Sequence, residues 1–486
     1  MSCSFQKKRE HVSETSLNKG VIHMETLQEN PVSKKKSNPS VWRSMSLFLV
    51  PLLLSNVLQS VGQLVGMVAV GRWLGVDALA AVSSFFPLFF LLISFTIGIG
   101  SGSSILIGQA YGAKNEERLK AVVGTTLTFT FLLGIVLAVI GSIFTLDILR
   151  LMGTPENVIH VSVSYARILF CAMPFMFLYF AYTTFLRGTG DSKTPFYTLI
   201  VSTVINIALL PIFILGMFGL PKLGIYGSAY ATVISTIVTF IVLLVYLRKT
   251  KHPLQFDKTV RRYLKMDKEL LALLLRLGIP SSINMILVSL SEIAVISFVN
   301  HYGSDATAAY GVVNQVASYV QMPAVSLGIA VSIFAAQSIG ANEFDRLKQV
   351  IRVGIWLNYI IGGVLILLIY LFAHQILALF LTEKDTLYIA HRLLMITLWS
   401  YLLFGNAQII SATMRASGTV LWPTLISIFA IWGIEVPVAF VLSHYTNLEI
   451  LGIWVGYPAA FAVSLLLIYG YYQFIWKKKQ ITRLIQ

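Results

Sequence analysis

Twelve apolar runs, each about 20–30 residues long, constrain what this 486-residue chain can fold into more than any other feature. At about 1.5 Å rise per residue, a helix of that length crosses a hydrocarbon layer about 30 Å thick. The runs lie near 46–70, 79–110, 120–143, 160–186, 195–217, 225–247, 273–300, 306–338, 349–373, 387–414, 423–443 and 451–476. Hydrophobic residues are 56% of the chain and charged residues 12%, against roughly 45–50% and 25% in soluble domains. With a mean hydropathy of +0.78, the expected fold class is an all-α polytopic membrane protein of twelve transmembrane helices, and a soluble enzyme is excluded.

The second half of the chain repeats the first at an ungapped offset of 228 residues. Gly75, Asp77, Ala78, Ala80 and Ala81 recur as Gly303, Asp305, Ala306, Ala308 and Ala309. Gln109, Gly112, Ala113, Arg118, Leu119 and Lys120 recur as Gln337, Gly340, Ala341, Arg346, Leu347 and Lys348. The register persists through Arg187, Gly190 and Pro195, matched by Arg415, Gly418 and Pro423, and slips by one residue where Pro51 matches Pro280. Six runs fall in each copy, so both copies enter the membrane from the same side as parallel repeats. A duplicated membrane unit is the usual mark of a secondary transporter, because two similar bundles can rock about a site between them.

The net charge of +15 raises the question of a nucleic-acid partner. Its distribution answers it. Basic residues gather in the N-terminal segment (Lys7, Lys8, Arg9, Lys34, Lys35, Lys36), after helices 2 and 8, between the halves (Arg261, Arg262, Lys265) and at the C-terminus, with Arg187 and Arg415 assigned to the loops after helices 4 and 10. The opposite loops hold only Arg72, Arg150, Lys222 and Lys384. This asymmetry follows the positive-inside rule and predicts cytoplasmic termini and no nucleic-acid partner. The expected organisation is a disordered basic tail at 1–44, a six-helix bundle at 45–247, a cytoplasmic linker with a short surface helix at 248–272, a second bundle at 273–476 and a tail at 477–486. Met24 is a possible alternative start. The two cysteines, Cys3 and Cys171, predict no disulfide framework.

Ionisable groups within apolar helices are costly and therefore functional candidates. Glu292 lies in helix 7 and Glu435 near the middle of helix 11, followed by Pro437. A carboxylate in a low-dielectric site can exchange a proton at physiological pH and can attract a cation when ionised. Proton and cation then compete for one charge. Amides supply further cavity candidates: Gln59 and Gln63, four residues apart on one face of helix 1, Asn206 in helix 5 and Asn284 in helix 7. Each can equally serve as interhelical glue. Prolines within the spans, among them Pro51, Pro174, Pro280 and Pro437, bend helices around a central space, and Tyr179, Tyr182, Tyr310 and Tyr401 can hold an organic cation over their rings.

No phosphate-binding loop is present, so ATP drive within this chain is not expected. No metal-spaced Cys/His cluster or Ser/His/Asp set supports a membrane-embedded enzyme. No cofactor is expected beyond a proton or sodium gradient.

The segments VGRWLGVDALAAV at Val70–Val82, IGQAYGAKNEERLK at Ile107–Lys120 and LRGTGDSKTP at Leu186–Pro195 resemble those of multidrug and toxic compound extrusion (MATE) transporters over about residues 42–476. The resemblance implies a V-shaped pair of six-helix bundles and an antiporter that exchanges protons or sodium for organic, mainly cationic compounds. It also implies a multi-pass protein of the bacterial cytoplasmic membrane, expected to be a monomer. Arg187, Gly190, Asp191, Pro195 and Gly112 fall within these segments as structural loop residues, and Gly340 is the repeat counterpart of Gly112. Many bacterial members carry an Asp in helix 1 five residues before the Gly of the VGR segment; here that position is Gly66. Coupling then falls to Glu292 and Glu435. A lipid-linked oligosaccharide flippase of the same superfamily is the alternative, which would require basic residues in a central cavity.

Overall fold

The computed structural model describes residues 40–446, 448 and 450–485, apart from the side chains of residues 86 and 87. The expected N-terminal tail, with Cys3 and Met24, lies outside the described residues except for its last few positions, where helix 1 already begins at Val41. Among the described residues, twelve helices are long and apolar enough to cross a membrane. Helices 1–6 span Val41–Leu74, Val76–Gly112, Glu116–Leu151, Glu156–Gly188, Lys193–Leu215 and Ile225–Lys249. Helices 7–12 span Lys268–Asn300, Ser304–Gly340, Phe344–Leu371, Lys384–Ala416, Leu421–Tyr445 and Ile450–Lys478.

Turn chemistry explains where these helices stop. Gly190 and Gly418 adopt φ of +89° and +86° after helices 4 and 10, a left-handed backbone that favours glycine. Asp191 then starts helix 5: its Oδ1 accepts the backbone N–H groups of Lys193 and Thr194, each at 3.0 Å, satisfying donors that a helix start leaves open. Pro195 follows in the first turn, where its missing N–H is harmless. Arg187 and Arg415 are not loop residues as the charge pattern suggested. Helices 4 and 10 run on to Gly188 and Ala416, so both arginines sit in a last helical turn, half-buried, where a cation faces the negative end of the helix dipole.

The apolar cores show how the halves meet. At one end of the molecule the cores mix both halves. Ile99–Ala110 of helix 2 packs with Leu270–Leu277 of helix 7 and Ala335–Ile339 of helix 8, and Met45–Leu52 of helix 1 packs with Leu327–Phe334 of helix 8. At the other end the cores separate: Ala81, Phe85 and Leu92 pack only within the first half, and Ala306–Val320 only within the second. The two bundles thus form a V, joined at the end that carries the basic loops and the linker.

Glycines allow the close approach at the joined end. Helices 2 and 8 cross where a Cβ on Gly112 would overlap the carbonyl oxygen of Gln337, and a Cβ on Gly340 that of Gln109. Gln109 Nε2 donates to the carbonyl of Ala416 at 2.7 Å, while Gln337 Nε2 donates to that of Gly188 at 3.0 Å. These four positions match at the 228-residue offset, so the crossing is two-fold symmetric down to its hydrogen bonds. One arm carries more: the backbone N–H of Leu484 also donates to Gln109 Oε1 at 2.7 Å. The C-terminal segment folds back to make that bond, with Trp476 and Ile485 buried and Trp476 Nε1 donating to Ser417 Oγ at 2.9 Å.

The linker also packs rather than floating. Leu254 and Val260 are fully buried, and Asp257 caps the short helix Lys258–Arg262 by accepting the N–H groups of Thr259 and Val260. The same carboxylate pairs with Lys120 of helix 3 at 2.6 Å.

Candidate functional site

The sequence-predicted polar residues fall in separate spaces within the bundles. The first half encloses a cavity of about 360 Å³ among helices 1, 2, 4, 5 and 6, within the usual range of about 300–1,000 Å³ for small-molecule sites. Gln59, Gln63, Asn206, Ser202, Thr203 and Thr232 provide its polar lining, with Tyr165 and Phe85 among the apolar walls. Asn206 is held in place by Thr232 Oγ1 at 3.3 Å and Ser235 Oγ at 3.4 Å. No acid lines this cavity. Gly66 lies on its wall, and a Cβ there would meet nothing within 4 Å.

The second half holds both acids. Glu435 is only 4% exposed and ends a π-helical turn, Phe429–Glu435, within helix 11. Pro437 accounts for the distortion, since it has no N–H for the regular ladder, and such π turns are frequent at functional sites. Helix 12 presses close at this point because Gly456 has no side chain: a Cβ there would lie 2.9 Å from the Glu435 carbonyl oxygen. Glu292 is exposed, yet it lies within electrostatic reach of Glu435.

Around the two acids stands a cluster of phenols and rings. Tyr310, Tyr401 and Tyr457 lie within electrostatic reach of Glu435. Tyr310 and Tyr457 share a hydroxyl contact of 3.2 Å, and Tyr310 stacks on Trp454 with ring centroids 5.0 Å apart. Neither carboxylate makes a hydrogen bond among the described residues.

Asn284 does not join this group. It lines a third space, about 60 Å³, with Gln408, Ser411, Arg415, Thr424 and Ser427. The predicted residues therefore divide in three: Gln59, Gln63 and Asn206 share the first-half cavity, Glu292 and Glu435 share the second-half cluster, and Asn284 lies apart. Gly112, Gly340, Arg187, Gly190, Asp191 and Pro195 belong to the joined end and its turns. The roles of Gln109 and Gln337 were missed from sequence; their recurrence was visible, but the partners that give it meaning are some 150–310 positions away.

Twelve spans in two matched bundles, joined at one end and enclosing polar space, define a two-fold repeated membrane transporter and not an enzyme. The MatE family model matches the chain twice, over residues 51–212 and 280–441, and the chain belongs to that family of MATE transporters. A Bacillus subtilis (strain 168) relative described as "Probable multidrug resistance protein YoeA" is 93% identical over 463 residues, covering 95% of this chain and 100% of that protein. "Multidrug export protein MepA" of Staphylococcus aureus (strain MSSA476) is 25% identical and covers 83% of this chain and 87% of its own length.

Two solved structures share the fold. One is described as a MATE crystal structure in the bent conformation, with TM-score 0.81 at 24% identity over 88% of this chain and 94% of the other. The second is an outward-facing multidrug resistance MATE transporter, with TM-score 0.80 at 24% identity over 92% and 97%.

Proposed function

We propose that this protein is a secondary antiporter that exports organic, mainly cationic compounds across the bacterial cytoplasmic membrane in exchange for protons or sodium. The observation that carries the reading is the division of labour between the halves. The first offers a roomy, uncharged cavity, whereas the second buries Glu435 beside Glu292 with no internal cation to neutralise them among the described residues. Acids within membrane spans, here one buried and one exposed, are the expected seat of ion coupling. The names of the relatives, a multidrug resistance protein and a multidrug export protein, support small organic compounds as substrates.

With the basic loops on the cytoplasmic side, the V is closed towards the cytoplasm and open outward, both termini are cytoplasmic, and one chain contains a whole site, in keeping with a monomer. Transport needs no cofactor beyond the ion gradient. The flippase reading is disfavoured by size: the second-half space lined by Arg415 is about 60 Å³, too small for a glycolipid headgroup.

The test is dye efflux from proteoliposomes under imposed proton and sodium gradients, with cationic and neutral dyes compared. Glu435→Gln is expected to abolish gradient-driven efflux of the cationic dye while the protein inserts normally. Unchanged transport would remove Glu435 from the mechanism.

A further inference from the structure

Most hydroxyl groups in the spans are satisfied locally. Ser94, Thr130, Ser162, Thr236 and Thr413 each donate to the carbonyl four residues earlier. The space around Arg415 breaks that pattern. Ser411, Thr424, Ser427 and Ser464 line it, and their hydroxyls have no hydrogen-bond partner among the described residues. The buried Oδ1 of Asn284 has none either. Arg415 itself makes a single hydrogen bond, from its Nη2 to Gln408 Oε1 at 3.4 Å, and no acid lines the space. Even a half-buried guanidinium within a span is costly without a carboxylate unless something else carries the compensating charge.

The repeat shows what opens this space in the second half. Arg187 is the counterpart of Arg415, and Tyr179 is the counterpart of Ala407. Tyr179 is buried and lies within electrostatic reach of Arg187. In the second half, Ala407 leaves that volume open as part of the cavity wall. Two hydroxyls are new where the ring is missing: Thr424 and Ser427 stand where the first half has Phe196 and Leu199, while Ser411 and Ser464 match the hydroxyl residues Thr183 and Thr236.

We infer that the Arg415 cavity of the second half is a binding site for a small monovalent anion, held by the guanidinium and the surrounding hydroxyls. A cation is excluded by the arginine, whereas charge-assisted hydrogen bonds from a guanidinium favour a halide or a carboxylate group. The cavity of about 60 Å³ exceeds the roughly 10–15 Å³ that a single water needs on the same measure, so it has room for one such group. Bulky anions do not fit. The anion is either free in solution or the carboxylate end of a transported compound, and the two sources are separable.

Thermal unfolding of the full-length protein in detergent or nanodiscs, titrated at constant ionic strength with chloride, formate or gluconate, tests the site. The expected result is saturable stabilisation by chloride and formate but not gluconate, with apparent affinity at least tenfold weaker in Arg415→Gln and in Ala407→Tyr, which fills the cavity as the first half does. Ser427→Ala keeps the packing and is expected to weaken binding by a smaller factor should either larger change prevent folding. Stabilisation by chloride and formate alike assigns a free small anion; stabilisation by formate but not chloride assigns a carboxylate of the cargo. Equal responses to all salts, or responses unaltered in all three variants, would overturn the assignment and leave a water-filled cavity.

Discussion

Gln109 and Gln337 occupy equivalent places in the repeat, so alanine substitution removes the same atoms from each arm of the joined end. The consequences differ. Gln337→Ala deletes one hydrogen bond, to Gly188, whereas Gln109→Ala deletes two, to Ala416 and from Leu484. With a net contribution of about 1 kcal/mol per bond, closure at this end weakens by about 1 kcal/mol for Gln337→Ala and about 2 kcal/mol for Gln109→Ala. At about 1.4 kcal/mol per factor of ten, the ratio of open to closed molecules rises roughly fivefold in the first variant and roughly thirtyfold in the second.

The assay is a distance distribution between spin labels at Glu116 and Phe344, two exposed and repeat-equivalent positions beyond the crossing, in a background with Cys3 and Cys171 replaced by serine. Removing residues 480–486 deletes the Leu484 bond in advance. In that shortened chain the two alanine variants should become equal, because the asymmetry then has no source. Equal shifts in the full-length chain, or a larger one for Gln337→Ala, would refute the reasoning.

Gly66→Asp has space for its side chain, so it should leave thermal stability within about 0.5 kcal/mol of the parent and alter the proton or sodium dependence of dye efflux; an unaltered ion dependence would show that the first-half cavity handles no ion. Gly227→Ala places a Cβ 2.6 Å from the backbone of Phe213 and should cost about 1–3 kcal/mol as overpacking between helices 5 and 6, read as a lower unfolding midpoint with normal insertion. Asp257 is partly desolvated, which opposes ionisation, but the hydrogen bonds from Lys120, Val260 and Thr259 outweigh this and hold its carboxyl below the usual range. A depressed carboxylate contributes stability above its unfolded pKa and loses it as pH falls through the folded value. Protease cleavage in the linker should therefore rise only below about pH 4, and Asp257→Ala, which removes cap and ion pair together, should produce that sensitivity at neutral pH with a loss of about 1–2 kcal/mol.

The number of spans, their division into two copies and the side on which the basic loops gather were legible in the sequence. A membrane helix satisfies its backbone within itself, so hydropathy along a single segment announces it, and a duplication survives as matched letters. Glu435 was likewise visible as an acid amid apolar residues, and Gly66 as a position with no acid.

Only the tertiary structure decided which polar residues share a space. Asn284 precedes Glu292 by two helical turns, yet it belongs with Arg415 of helix 10, because a cavity is bounded by side chains from several helices and by what is absent, here the ring that Ala407 lacks. Arg415 looked like a loop cation until helix 10 carried it into the bundle. The two-fold bonds of Gln109 and Gln337, and the C-terminal segment that strengthens one of them, join residues hundreds of positions apart. No local pattern encodes such a contact, since its energy depends on how two bundles cross.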